Sequence, residues 1–472
     1  METDFRRLDR AFNPRCVAVV GDSKKTNFHW LTNLSTFQGK LYSVQVNPES
    51  IEGIKALGIE NYPSLQEIPE PVDYVIVTVP REIAPAVLDD CIAKDVGAAH
   101  FFTSGFAETA TEKGIELERV IRDKVEKANF YLVGPNCRGI FNPKIGLRQI
   151  AEQYHGISGE VGLITQSGGH AMNFSREAHM EGVDINKSVS FGNGIGLDAS
   201  NYLEYFGRDD GIKVIAMYLE GVNDGKRFFN VLRDVAAIKP VVIWKGGRTD
   251  DGGRAIASHT GSLAVAKVIW DTAVKQCGAI QVKGMEELID TLKALLYLSP
   301  FQGNRVGVAG GAGGQSIAIT DILAENGFNV PPLSQESYDE LGTFFSDVGG
   351  SYQNPLDTDV GRNRKELARI YEILARDSNI DILMLISRVG KFMFSSGLLE
   401  ADIAAMVNIK DKTAKPVLTI LPFTNPEEMV EAREAMQRFQ TGGVPVFSMM
   451  ERGSNALRNV LDYYRFKNGQ SN

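Results

Sequence analysis

The feature that most constrains this chain is a short β-branched run, then a glycine or polar turn, then an amphipathic stretch, repeated along its whole length. Strands that alternate with helices cannot be closed by tight hairpins. They need crossover connections, which give parallel sheets with helices on their faces. The pattern therefore predicts an α/β protein. Three openings stand out: CVAVVG at 16–21, VGLIT at 161–165 and RVGVA at 305–309, the last two followed by the glycine-bearing turns QSGG and GGAGG.

With 472 residues, about three domains are expected at ~100–200 residues each. The first, 1–155, has strand-like runs at 16–21, 41–46, 74–79, 98–103 and 131–134, with helical stretches at 83–95 and 112–128. That pattern predicts a Rossmann-like, doubly wound unit. The stretch YHGISGE at 154–160 opens a second domain, 156–300, with further strands at 213–220, 240–245 and 279–282. Past SPFQGN at 299–304 comes a third, 301–472, with strands at 380–387, 416–423 and 444–448. Domains two and three begin alike, which predicts two related flavodoxin-like folds.

Ligands of open α/β sheets bind outside the carboxyl ends of the strands. In the first domain those ends bring together Gly21, Ser23, Asn47, Pro48, Val79, Pro80, Ser104, Gly105, Phe106 and Asn136, a rim of small and polar residues suited to a nucleotide. The G-x-G-x-x-G fingerprint is missing, which disfavours NAD. Two further loops, Ser167, Gly168, Gly169 and Gly311, Ala312, Gly313, Gly314, each precede a helical stretch. They are either tight βα turns or the two halves of one anion site made from backbone N–H groups and helix N-termini.

The most unusual segment is KGGRTDDGGRAIASHTGSLA at 245–264, with five glycines and one histidine, His259. Long loops of this kind inside compact domains are uncommon and usually functional. A neutral imidazole there can attack phosphorus, although a surface loop with an incidental histidine fits the composition too. His170, at the start of a helix, is a second candidate acceptor. Glu220 ends a strand and is either a solvated acid or the group that orients an imidazole.

The net charge of −9, from 50 basic and 59 acidic residues, with no basic stripe, argues against non-specific nucleic-acid binding. No apolar run approaches the ~20 residues that cross a bilayer. The N-terminal METDFRRLDRAF lacks a signal-peptide core, so a cytoplasmic protein with no membrane contact is expected. The four cysteines, at 16, 91, 137 and 277, form no C-x-x-C pair and read as reduced core thiols. No Cys/His cluster or H-E-x-x-H motif supports a metal on this chain, and no G-x-S-x-G elbow supports a serine hydrolase.

Together, VNP at 46–48, SGFAE at 104–108, GPNC at 134–137, GLITQSGG at 162–169, YLEGVNDG at 218–225, ASHTGSL at 257–263, GNG at 192–194 and NPLD at 354–357 resemble the alpha part of ADP-forming acetyl-CoA synthetase, and more distantly succinyl-CoA synthetase. The resemblance implies a CoA-binding domain followed by two succinyl-CoA synthetase-like domains. It implies that acyl-CoA and phosphate give acyl phosphate and CoA, and that a loop histidine carries the phosphate to ADP. His259 aligns with that histidine and Glu220 with the glutamate that supports it, while the loops at Ser167–Gly169 and Gly311–Gly314 match the helix N-termini that hold phosphohistidine.

ADP or ATP, with Mg, belongs in this family to an ATP-grasp domain. None is evident within the chain, so a separate beta subunit and a homo- or hetero-oligomer are expected. The loop after the first strand departs from the family: it is shorter, and Asp22 stands where alanine is common, leaving Lys24 and Lys25 as candidate diphosphate partners. The alternative is a CoA-binding sensor or scaffold of the same fold without turnover. A binding-only descendant needs neither His259 nor Glu220, and both are present.

Overall fold

Cys16–Val20 is a run of five buried apolar residues, so it needs cover on both faces and takes the middle of a parallel sheet. In the computed structural model, which describes residues 3–254, 267–311, 313–345, 353–358, 364–390 and 398–469, this run is β1. Around it lie β2 (Lys40–Val44), β3 (Glu60–Tyr62), β4 (Tyr74–Val77), β5 (Ala98–Phe101) and β6 (Leu132–Val133). The order is β3-β2-β1-β4-β5-β6, all parallel. This is the doubly wound dinucleotide-fold order, with its switch point between β1 and β4.

A second sheet contains β7 (Gly139–Phe141), β8 (Val161–Thr165), β9 (Ile185–Ser190), β10 (Val214–Leu219), β11 (Val241–Lys245) and β12 (Ile280–Val282). Its order is β12-β11-β10-β8-β9-β7. Without β7 this is the flavodoxin order, and the switch point falls between β8 and β10. β7 pairs antiparallel with β9, Ile140 opposite Val189. Three strands, β3, β7 and β9, escape the sequence pattern: two are only three residues long, and β9 reads INKSVS, mostly polar. Lys187 in β9 is accommodated because its Nζ reaches Asp209 Oδ2 at 2.6 Å.

The third sheet, β13 (Val306–Ala309), β14 (Ile382–Ile386), β15 (Val417–Ile420) and β16 (Val446–Phe447), is parallel throughout. A parallel bridge from Ala309 to Leu356 adds a rudimentary neighbour on the free side of β13. With Leu356 counted, the order repeats that of the second sheet, as the similar openings predict.

The chain divides into Met1–His179 with Val183–Met285, and Met180–Gly182 with Glu286–Asn472. The first unit thus holds two sheets, and the boundary drawn at 155/156 falls inside it. One apolar cluster contains Val17 and Ile76 of the first sheet together with Ile164, Val189 and Met217 of the second. The N-terminal helix Phe5–Phe12 contributes: the Phe12 ring lies 5.0 Å from Tyr205 and 5.3 Å from Phe206. The helix Met285–Tyr297, which the sequence assigns to the end of the second domain, packs within the second unit. Its Lys293 Nζ donates to Glu181 Oε2 and to the Val446 carbonyl, and Arg452 pairs with its Asp290.

His100 sits on β5 with no exposed surface. Its Nε2–H donates to the Cys137 carbonyl at 3.0 Å, and its Nδ1 meets no partner. Gly139 is required beside it: with φ of +69°, a Cβ there would lie 2.5 Å from both His100 Nδ1 and Tyr74 OH. Burial lowers the His100 pKa from 6.5 to about 4. Between these values the unfolded chain binds the proton and the folded chain does not, so stability falls as pH drops from 6.5 towards 4. We expect a loss of about 3 kcal/mol over that window. It is checked by urea unfolding at several pH values, where a His100→Phe variant should show a shallower slope than the wild type.

Candidate functional site

The carboxyl ends of β1, β4 and β5 and those of β8 and β10 open on a cleft of about 750 Å³ within the first unit, a size common for small-molecule sites. The switch points of both sheets therefore supply its walls. Of the residues expected from sequence, Gly21, Ser23, Val79, Pro80, Ser104, Asn136, Ser167, Gly168, Gly169 and Glu220 all line it. Lys24 and Asn47 line an adjoining groove of about 300 Å³, with Ser23, Lys25 and Gln45.

Pro48, Gly105 and Phe106 do not reach the wall. Pro48 begins the helix Pro48–Ala56, and the Phe106 ring is fully buried. Gly105 and Phe106 are instead held from behind, their N–H groups donating to the Glu108 carboxylate at 2.6 and 3.1 Å. Gly311, Gly313 and Gly314 belong to the second unit, where they lead from β13 into the helix Gly313–Glu325. Ala312 and His259 lie outside the described residues.

The loop after β1 is organised by Asp22, which is fully buried. One carboxylate oxygen accepts the backbone N–H groups of Trp30 and Leu31 at 2.8 and 3.0 Å. The other accepts the Ser23 N–H at 3.1 Å and the Thr26 hydroxyl at 2.7 Å. Gln45 ties this loop to the end of β2: its side-chain N–H₂ donates to the Asp22 carbonyl, and its oxygen accepts from Val46 and Asn47 N–H. The short loop is therefore built rather than slack. Gly21 closes it against the turn after β4, where a Cβ would lie 2.5 Å from Val79 Cγ1.

On the second sheet, Gln166 and Ser167 lead from β8 into the helix Gly168–Met180. The Ser167 hydroxyl accepts the His170 N–H at 3.2 Å, and Gln166 Oε1 accepts the Gly221 N–H at 3.0 Å, locking the two strand ends together. The helix start lines the cleft, and its free N–H groups favour an anion there. Glu220 is buried, its carboxylate accepting from Tyr218 OH at 3.4 Å. Beneath it, Lys245 Nζ donates to the Glu220 carbonyl at 2.8 Å, and burial depresses the lysine pKa.

His170 is not part of the wall. Its half-buried ring packs against Tyr218 and Trp244, with centroids 4.4 and 4.5 Å away, and burial holds its pKa down. Cys137 does line the cleft, but burial pushes its thiol up to about 12, so no thiolate nucleophile is present at neutral pH.

Sequence reasoning named Gln166 only as part of the QSGG loop and missed Arg81, Phe102, Arg138 and Asn193; all five line the cleft. Each adjoins a rim motif in sequence: Arg81 follows Val79-Pro80, Arg138 follows GPNC, and Gln166 precedes Ser167. Asn193 bridges the motifs, donating from Nδ2 to Glu108 and Glu118 at 2.8 and 3.0 Å. Among the described residues, no cluster of three or more metal-binding side chains occurs.

Comparison with known proteins agrees with this layout. Residues 15–143 match the CoA binding domain family, and residues 158–295 match the succinyl-CoA ligase like flavodoxin domain family. The chain is similar to the acetate–CoA ligase [ADP-forming] II subunit alpha of Pyrococcus furiosus, with 32% identity covering 94% of this chain and 95% of the relative. It is 35% identical to an acetate–CoA ligase [ADP-forming] I of Archaeoglobus fulgidus over 80% of this chain, which spans 54% of that longer protein. In structure it is similar to a dinucleotide forming acetyl-coenzyme A synthetase 1 of Ca. Korarchaeum cryptofilum, solved with phosphate and ADP. The TM-score is 0.85 at 28% identity, covering 98% of both chains.

Removing the Asp22 carboxylate strands several N–H groups in the loop that walls the cleft. Asp22→Ala is expected to destabilise the protein by about 2–4 kcal/mol and to weaken CoA binding several-fold. Chemical unfolding and calorimetric titration with CoA measure the two effects.

Proposed function

The chain belongs to the family of ADP-forming acetate–CoA ligase alpha subunits, and on that premise we propose that it is the CoA-binding subunit of an ADP-forming acyl-CoA synthetase in which His259 carries the phosphate. The observation that carries this reading is the cleft where the two switch points meet, with a nucleotide-type rim on one wall and an anion-favouring helix start on the other. A rim of small residues around Gly21, Val79 and Asn136 suits the pantetheine arm, and the groove with Lys24 and Lys25 suits the phosphates of the CoA nucleotide.

The chemistry divides into steps that balance. A phosphate oxygen attacks the thioester carbonyl; the C–S bond breaks, giving acyl phosphate and CoA. The imidazole of His259 then attacks phosphorus, and the bond from phosphorus to the carboxylate oxygen breaks, releasing the carboxylic acid. The phosphoryl group finally passes to ADP. In this scheme the N–H groups at the start of the Gly168 helix hold the phosphoryl oxygens, an interaction of ~0.3–2 kcal/mol per helix end. Glu220 is the positioning residue for the imidazole. The nucleotide and its Mg belong to an ATP-grasp beta subunit, the partner that completes the reaction. The A. fulgidus relative, a longer single protein to which this chain aligns over part of its length, is consistent with a further functional part beyond this chain.

The test is intact-mass analysis of the chain incubated with phosphate and a panel of acyl-CoAs, alongside His259→Ala. An acid-labile phosphate adduct in the wild type that disappears in the variant is the expected result. An adduct that survives in His259→Ala would move the carrier role to another residue. No adduct even with the ATP-grasp partner present, despite CoA binding, would favour a binding protein without turnover.

A further inference from the structure

Arg138 lines the cleft, and among the described residues no carboxylate neutralises its charge. Its guanidinium lies over the Phe102 ring, 5.0 Å from the centroid, and its NH1 is 3.2 Å from His29 Nε2. That same ring nitrogen faces Asn33 Nδ2 at 3.1 Å. Two N–H donors converge on it, so it must carry the lone pair, and the imidazole is neutral. Burial, and then the Arg138 charge, hold the His29 pKa below its ordinary value, in agreement.

A neutral acceptor of this kind orients a guanidinium without cancelling its charge. Among the described residues no carboxylate pairs with Arg138, and burial lowers its pKa. The contrast within the same cleft is Arg81, which donates to the Gly105 carbonyl at 2.6 Å and pairs with Glu82 at 3.2 Å. Arg138 is thus partly desolvated, aimed and without a carboxylate partner among the described residues, an arrangement that a bound anion stabilises and an empty site does not.

The position of the charge narrows the choice of anion. The stem of Arg138 runs past the start of the Gly168 helix, where a Cβ on Gly168 would lie 3.0 Å from Arg138 Cγ. Its guanidinium continues to Phe102 and His29, on the side of the first sheet. The cleft therefore offers the helix start and the guanidinium as anion-favouring positions, with Lys25, which it shares with the adjoining groove, as a third. In the proposed scheme the phosphoryl group takes the helix start and Lys25 faces the CoA phosphates, which leaves the guanidinium for another anion.

We propose that Arg138 is a specificity-determining residue that pairs with a second carboxylate on the acyl group, so that the acyl substrates of this chain are dicarboxylic. The inference rests on the reading of the cleft as an acyl-CoA site. A planar guanidinium matches a carboxylate with two parallel hydrogen bonds, and a site built for a charge rejects the analogue lacking it more strongly than an apolar pocket rejects an extra group.

The probes are CoA, succinyl-CoA and butyryl-CoA, the last two having four-carbon acyl chains that differ in a terminal carboxylate. Binding is measured by calorimetry on the wild type, Arg138→Met and Arg138→Lys, each first shown by its melting curve to be folded. The wild type should prefer succinyl-CoA over butyryl-CoA by about tenfold or more. Arg138→Met should abolish that preference, and Arg138→Lys should restore part of it. Equal affinity of the wild type for both thioesters overturns the proposal, as does a preference that survives in Arg138→Met. Equal weakening of CoA and both thioesters in Arg138→Met also overturns it, because the residue then serves the CoA moiety or the fold. Failure of the wild type to bind CoA at all overturns the acyl-CoA reading itself, and this inference with it.

Discussion

Everything functional in the first unit depends on strands running in parallel. A parallel strand must be followed by a crossover, so each carboxyl end delivers a loop to the same edge of its sheet. Where the winding reverses, two adjacent loops diverge and leave a crevice. The first sheet reverses between β1 and β4, the second between β8 and β10. A single apolar cluster spans both sheets, and the loops at both reversals line one cleft. The side chains there do not need to find one another; the winding has already gathered their backbones.

The protein as a whole is acidic, yet the cleft favours anions. The two facts are compatible because the attraction is local. Backbone N–H groups at the Gly168 helix start carry partial charge in a fixed direction, and Arg138 carries a full charge held between a ring face and a neutral imidazole. Arg81 and Lys245 add little by comparison: one is paired with Glu82 and the other is turned onto carbonyl oxygens. Net charge therefore predicts poorly what such a site binds, and the pairing state of each cation predicts it better.

The parts of the fold legible in the sequence were those written in apolar runs. β1, β4, β8 and β10 announced themselves because each is buried along nearly its whole length. β9 did not, because a polar residue such as Lys187 is accommodated there by a partner that only the folded chain supplies, Asp209. The rim was legible through glycine, proline and small polar residues at strand ends. Its charged members were not, because Arg138 becomes informative only once His29, more than a hundred residues earlier, is seen to be neutral beside it. Asp22 reads in the sequence only as a departure from the family pattern; its four acceptor contacts make it the loop's organiser.

The strand β7 has a practical consequence for anyone who wants the CoA-binding portion on its own. By sequence, Gly139–Phe141 trails the first sheet, and a cut after residue 155 looks clean. In the folded protein those residues hydrogen-bond to Ser188–Ser190 of the second sheet. Such a cut leaves a sticky three-residue strand on one fragment and bares the flank of β9 on the other, two unpaired edges that invite aggregation. The first two sheets are better expressed together, as one inseparable piece.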